Sequence, residues 1–373
     1  MDDFRGISIS SIISKVFEHC ILERYGKYLT TNETQFGFKK KSGCRDAIYS
    51  LRRVVEHYTA AGSTVNLCVL DISKAFDKMN HHGLFMKLMK RSVPINLLLV
   101  MEKWFANNYT CVKWGSVFSV FFQLHCGIRQ GGVLSPYLFA LFIDDVIDNL
   151  KLLPYGCFVR FVNFNILMYA DDIIMVAPTI SALQLLVAEG EQALNCLDMT
   201  INVKKCACMR IGRRHNVACL PILLSDGQLI QWTNSITYLG VTIVSATSFS
   251  CSFKESKCKF YRAFNAIFGK VGRSASEVVT VELLRAKCTP ILLYAVEACP
   301  FKSSVINSLQ FALTGAVMKI FNTKSKEIAN VCANMFGISD VSSLINRRTS
   351  KFIKSFNSIN SLYRQVLADN NCA

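Results

Sequence analysis

The chain has 373 residues, 51% hydrophobic and 18% charged, a globular composition with room for two or three subdomains at roughly 100–200 residues each. Lys and Arg number 42 against 26 Asp and Glu, leaving +16, so a polyanion is the expected partner: nucleic acid first, an acidic membrane surface second. No stretch holds the ~18 uninterrupted apolar residues of a membrane span, and the start lacks the layout of a secretory signal, so the expectation is a soluble intracellular protein, nuclear or cytoplasmic, without a membrane partner.

In chain order, residues 10–29 have helical periodicity, carried by Ile13, Val16, Phe17 and Leu22. Gly37 and Gly43 bracket a basic loop containing Lys39, Lys40 and Lys41, and helix resumes over 46–58. A β-branched and apolar run from Thr64 ends abruptly in Asp71. Helices are expected at 80–91 and 95–107, broken at Pro94, and then a β-ribbon over 111–122 turning at Gly115 and Ser116. After a glycine-rich loop at 127–132, Ser135 is expected to cap a helix with Pro136 in its first turn, buried along Leu138, Leu141, Phe142, Val146 and Leu150.

Apolar runs at 165–168 and 173–177 flank Tyr169, Ala170, Asp171 and Asp172, the pattern of a β-hairpin with two acids at its tip. A helix at 181–197 and strands at 207–211 and 238–244 follow. From about 249 the pattern turns helical and basic, which sets a boundary there. Phe260, Phe264, Ile267, Phe268 and Val271 share a face ringed by Lys254, Lys257, Lys259, Arg262, Lys270 and Arg273. A nucleic-acid grip, a membrane-surface helix and a solvated face all fit that pattern. Residues 311–373 continue helical, with Phe311, Val317, Ile320, Phe352, Phe356 and Leu362 as apolar positions. The 16 cysteines, such as Cys68, Cys126 and Cys196, are scattered without metal-ligand spacing and read as reduced core thiols.

Adjacent carboxylates repel, and the arrangement is tolerated where divalent metal neutralises it. Alone, Asp171 and Asp172 would also suit a solvated turn, and Asp71 a helix cap. Together, a strand-end acid beside a hairpin-tip pair can hold two Mg²⁺ ions about 4 Å apart, one activating a 3′-hydroxyl and one stabilising leaving pyrophosphate. The pattern points to metal-assisted phosphoryl transfer.

These segments resemble reverse transcriptases of non-LTR (LINE-type) retrotransposons. Residues 4–8 resemble the first fingers motif, 35–48 the second, 70–77 palm motif A, 127–139 motif B, 169–172 motif C and 202–205 motif D, while Tyr238, Leu239 and Gly240 resemble the turn towards the thumb. The resemblance implies an α+β right-hand polymerase: partial fingers over 1–62, a palm with an antiparallel sheet over 63–248, a helical thumb over 249–310 and a helical extension over 311–373. It implies RNA-directed DNA synthesis on a primer and RNA template from deoxynucleoside triphosphates, with two Mg²⁺ ions, or Mn²⁺ instead, on Asp71, Asp171, Asp172 and the carbonyl of Ile72.

By the same resemblance, Phe76 would lie under the incoming sugar, Gln130 beside Gly131 in the nucleotide-binding loop would meet nucleotide or template, and Arg129 would stabilise that loop or bind phosphate. Lys39, Lys40, Lys41 and Arg45 would meet phosphates, and Lys205 would be a proton donor or an ordinary surface lysine. Gly6 stands where the family usually has proline, and the chain begins inside its first motif without an endonuclease domain or Cys/His knuckle. That suggests a truncated copy, for which a non-catalytic nucleic-acid-binding remnant is the alternative reading.

Overall fold

Val65 to Leu70 is apolar at every position but Asn66, and it forms a strand, β1 (Val65–Leu70), buried at all but Val69, as suits a central strand. Beside it in a four-stranded sheet lie β2 (Ile166–Tyr169), β3 (Asp172–Ala177) and β4 (Ala207–Ile211), in the spatial order β4-β1-β3-β2. β1 pairs antiparallel with β3 from Asn66 opposite Ala177 to Leu70 opposite Ile173. β2 and β3 form the expected hairpin, closing at Tyr169 opposite Asp172.

This computed structural model describes residues 6–272 and 274–368; Phe4 and Arg5 of the first motif and Arg273 of the basic helix lie outside them. The helices are α1 (Ile12–Tyr25), α2 (Cys44–Ala60), α3 (His81–Lys90), α4 (Ile95–Ala106), α5 (Ser135–Lys151), α6 (Ile180–Asn195) and α7 (Lys254–Val271), followed by shorter helical segments and by Ser303–Ile320, Lys326–Met335, Val341–Asn357 and Leu362–Ala368. α5 and α6 pack on one another and on the sheet, and their apolar faces with those of α3 and α4 make one continuous core. Pro94 stands at the start of α4, where its missing N–H costs nothing, and so ends the preceding turn.

The chain divides into two compact units. The first comprises residues up to 43, 63–210 and 217–233, and holds α1, α3 to α6 and the sheet. The second comprises 44–62, 211–216 and 234 onward. This differs from the expected division at 62, 248 and 310. Helix α2 belongs with the C-terminal helices because its partners come from there. Asp46 is ion-paired with the buried Arg364 at 2.8 Å, and Tyr49 meets Phe352 and Phe356 edge-on with centroids 5.3 and 4.9 Å away.

Other expectations shift with burial. The protected residues of α1 are Glu18 and Ile21, leaving Ile13, Val16 and Phe17 exposed. Phe311 and Leu362 are exposed, whereas Val317, Ile320, Phe352 and Phe356 are buried. The described cysteines are free thiols, but Cys126 and Cys196 lie at the surface rather than in the core. No helix among the described residues is long and apolar enough to cross a membrane.

Candidate active site

The β1–β3 register ends at Leu70 opposite Ile173, and one further step would set Asp71 opposite Asp172. Opposed residues in an antiparallel pair have Cα atoms about 4.5–5.5 Å apart and side chains on the same face. Asp171 precedes Asp172 in the turn and is half-buried, as is Asp71, while Asp172 is exposed. Ala170, the first turn residue, has φ +57° and Asp171 does not have positive φ, a pattern that matches a type II′ hairpin turn.

Beyond β1 the chain is held from the motif D side. Asn202 donates its N–H to the Asp71 carbonyl at 2.8 Å, Ser73 donates to the Thr200 carbonyl at 2.9 Å, and Ile72 sits opposite Ile201. Because strand amides alternate in direction, the Ile72 carbonyl faces the other edge, the one on which β3 pairs. The Asp71 N–H points to Cys206 Sγ at 3.4 Å. Burial pushes the Cys206 thiol up to about 11, and the Asp71 carboxylate pushes it the same way against that hydrogen bond. It therefore stays neutral near pH 7 and adds no charge beside the acid.

Among the described residues, no three His, Cys, Asp or Glu side chains stand close enough to hold a metal ion by themselves. Asp71, Asp171, Asp172 and the Ile72 carbonyl would offer oxygen donors alone. Such a set fits Mg²⁺, which is commonly held by one or two carboxylates together with water and substrate phosphates rather than by a closed protein cage.

The hairpin turn is backed by residues 34–37, an arrangement the sequence does not disclose. Gln35 bridges in parallel to Met168, with Phe36 N–H donating to the Met168 carbonyl at 2.8 Å and Met168 N–H to that of Thr34 at 2.9 Å. The fully buried Gln35 Oε1 accepts from the N–H of Gly37 and from that of Ala170, each at 3.0 Å. A Cβ on Gly37 would stand 2.5 Å from the Ala170 nitrogen. The signal is the Gln-x-Gly spacing at 35–37, legible only once the turn it faces is known.

The motif A and motif B loops are joined through their backbones. Ile128 N–H donates to the Phe76 carbonyl at 2.9 Å and Gly127 N–H to that of Met79 at 2.8 Å. Phe76 is half-buried and stacked on Phe139 of α5. The Gln130 carbonyl accepts from Ser8 N–H at 2.8 Å, its side chain reaches only 3.5 Å from Asp77, and Gly131 lies against the Ser8 carbonyl. Arg129 donates to the buried Asn108.

The expected phosphate-binding cations separate. Lys39 and Lys40 line a cleft of about 780 Å³ with His19, Lys27 and Phe38, whose ring centroid is 6.4 Å from that of Tyr169. Lys39 Nζ also donates to the carbonyls of Thr31 and Asn32 at 3.1 and 2.9 Å. Lys41 is exposed at φ +60°. Arg129 and Gln130 line a different cleft of about 1100 Å³, and the three acids line neither. Arg45 belongs to the second unit, where it pairs with the buried Glu297 at 3.0 Å and covers the ring of Phe352. Lys205 is exposed in the short helical turn Val203–Lys205, directly before Cys206.

Residues 1–243 match the family described as reverse transcriptase (RNA-dependent DNA polymerase). The chain belongs to the reverse transcriptase family. Membership makes the fold that of a right-hand polymerase, and the expected likeness to non-LTR retrotransposon enzymes is borne out. Relatives include the retrovirus-related Pol polyprotein from the type-2 retrotransposable element R2DM of Drosophila melanogaster, 25% identical over 260 residues that make up 68% of this chain and 24% of that protein. The RNA-directed DNA polymerase from the mobile element jockey of the same fly is 28% identical over 266 residues, 67% of this chain and 28% of the relative. The chain thus spans about a quarter of the length of these reverse transcriptase relatives. Among solved structures, telomerase from Candida tropicalis in complex with a TWJ fragment of telomeric RNA aligns with a TM-score of 0.47 at 12% identity, covering 95% of this chain and 56% of that one.

Proposed function

We propose that this reverse transcriptase chain is an RNA-directed DNA polymerase, adding deoxynucleotides to a primer 3′-hydroxyl along an RNA template inside the cell. The observation that supports this most is the β1–β3 register, which ends at Leu70 opposite Ile173 and so leads towards Asp71 and Asp172 where the β2–β3 hairpin turns, in a chain of this family. Asp71, Asp171 and Asp172, with the Ile72 carbonyl, would hold two Mg²⁺ ions, or Mn²⁺ instead. When bound, such ions supply Lewis acidity to the attacking hydroxyl and neutralise charge on the pyrophosphate.

The chain's own groups divide the remaining tasks. Phe76 limits the space beneath the sugar. Gln130, with Arg129 and Gly131, borders the nucleotide or template. Lys39, Lys40 and Lys41 draw phosphates towards the lysine-lined cleft, while Arg45 is engaged in its ion pair with Glu297. Lys205 donates a proton to the departing pyrophosphate, standing within one turn of the segment that grips Asp71.

Primer extension on an RNA template tests this reading, with Asp171→Asn as the control. Extension by the unmodified chain and its loss in the control is the expected result. RNA binding without extension by the unmodified chain would instead make it a non-catalytic nucleic-acid-binding protein.

A further inference from the structure

We propose that Gln35 is a positioning residue: its buried amide oxygen fixes the turn that presents Asp171 and Asp172. This rests on the polymerase reading for its kinetic consequence but not for its structural one. Ala170 stands where a type II′ turn prefers glycine, so its left-handed backbone is strained and needs support. Its N–H lies outside the hairpin ladder in a residue only 4% exposed. A buried N–H without an acceptor is costly, and Gln35 Oε1 accepts it at 3.0 Å.

The same oxygen accepts from Gly37 at 3.0 Å, which fixes the carboxamide's aim. Its own backbone is tied to β2 through the flanking bonds of Thr34 and Phe36 to Met168. Gly37 permits the approach, since a Cβ there would meet Ala170 N at 2.5 Å and Tyr169 C at 3.2 Å. The turn is therefore pinned from outside the hairpin by a fully buried residue. Gln35 Nε2 is buried with no hydrogen-bond partner, so the oxygen alone carries the function and glutamate can replace it in shape.

The test is amide hydrogen exchange resolved by residue, with Ala170 read against Ile174 within β3. In Gln35→Met, which keeps length but removes the oxygen, Ala170 protection should fall about tenfold while Ile174 is unchanged. In Gln35→Glu an acceptor oxygen remains, so Ala170 protection should stay within about twofold of that of the unmodified chain. The second variant stands alone if the first fails to fold. Unchanged protection of Ala170 in Gln35→Met, an equal loss at Ala170 and Ile174, or a selective loss in Gln35→Glu would each overturn the proposal. In primer extension, Gln35→Met should lower kcat about tenfold with the nucleotide KM within about twofold, and an unchanged kcat would overturn the kinetic part. Absence of extension by the unmodified chain would refute the polymerase reading, leaving the exchange result to judge Gln35.

Discussion

The ring of Phe76 lies on that of Phe139, with centroids 4.2 Å apart and planes 20° from parallel. Phe139 is fully buried on α5, so a half-exposed ring in the motif A loop rests on one packed in the core. Such stacking contributes ~0.5–1.5 kcal/mol beyond the area buried, and it makes Phe76 a rigid wall rather than a mobile one. Phe76→Ala is expected to lower the preference for deoxynucleotides over ribonucleotides on the order of tenfold or more, the scale on which a pocket discriminates by one small group. The ratio of kcat/KM for the two substrates in primer extension checks this. Phe139→Leu should act in the same direction but less, and an unaltered ratio in Phe76→Ala would sink the steric account.

Gly127 joins the motif A and motif B loops at closer range than any side chain allows. Its φ is +76°, and a Cβ there would stand 2.6 Å from the Asp77 carbonyl oxygen. Gly115 at the ribbon tip has φ +61°, and a Cβ added to it would meet nothing within 4 Å, so it isolates the backbone contribution. Gly115→Ala should cost ~1–2 kcal/mol, the left-handed penalty alone. Gly127→Ala should add a further ~1–3 kcal/mol because backbone, not a flexible chain end, must yield. Denaturant midpoints of the two variants make the comparison, and equal losses would show that the loop contact contributes nothing.

Local chemistry is legible in the sequence; partners brought from a distance are not. The acid hairpin, the strand ending at Asp71, the break at Pro94 and the turn at Leu239 and Gly240, both at positive φ, follow from apolar runs and turn residues within a few positions of each other. The motif order carries the family. The Ser-Pro pattern places the cap of α5 at Ser135, but Ser135 is the first helical residue, and Leu134 at the cap position donates its N–H to Glu18 at 2.7 Å across 116 residues. No periodicity within α1 discloses that Glu18 faces inward while Ile13 and Val16 face out. The membership of α2 in the second unit, and the pairing of Arg45 with Glu297, are hidden for the same reason.

The placement of Glu18 makes its own test. At 3% exposure it sets a carboxylate against the N-terminus of α5, where helix N–H groups lack internal partners and favour negative charge. Glu18→Ala leaves the Leu134 N–H buried without an acceptor and should cost ~1–3 kcal/mol. Glu18→Gln keeps an acceptor and should cost less than half as much. Thermal or denaturant unfolding of both variants reads the difference. Equal losses would mean that the packing of this side chain, not its hydrogen bond, holds the start of α5.

Glu297 gives the second unit an acid-dependent share of its stability. It is 2% exposed, and its Oε1 accepts from Arg45 at 3.0 Å and from Arg348 at 3.2 and 2.9 Å. Burial works to raise its pKa, but hydrogen bonds from its own backbone and from Arg348, the charge of Arg348 and the bond from Arg45 outweigh it and hold the carboxyl below its ordinary value. The unfolded chain therefore binds this proton more readily than the folded one. The stabilisation is complete above the unfolded value of ~4.3 and drains away as the pH falls through the lower folded value. Glu297→Gln should lower stability at pH 7 by ~1–3 kcal/mol and flatten its dependence between about pH 5 and 3. Denaturant titrations of the unmodified chain and the variant across that window provide the check; parallel pH profiles would show that the carboxyl is not held down by its arginines.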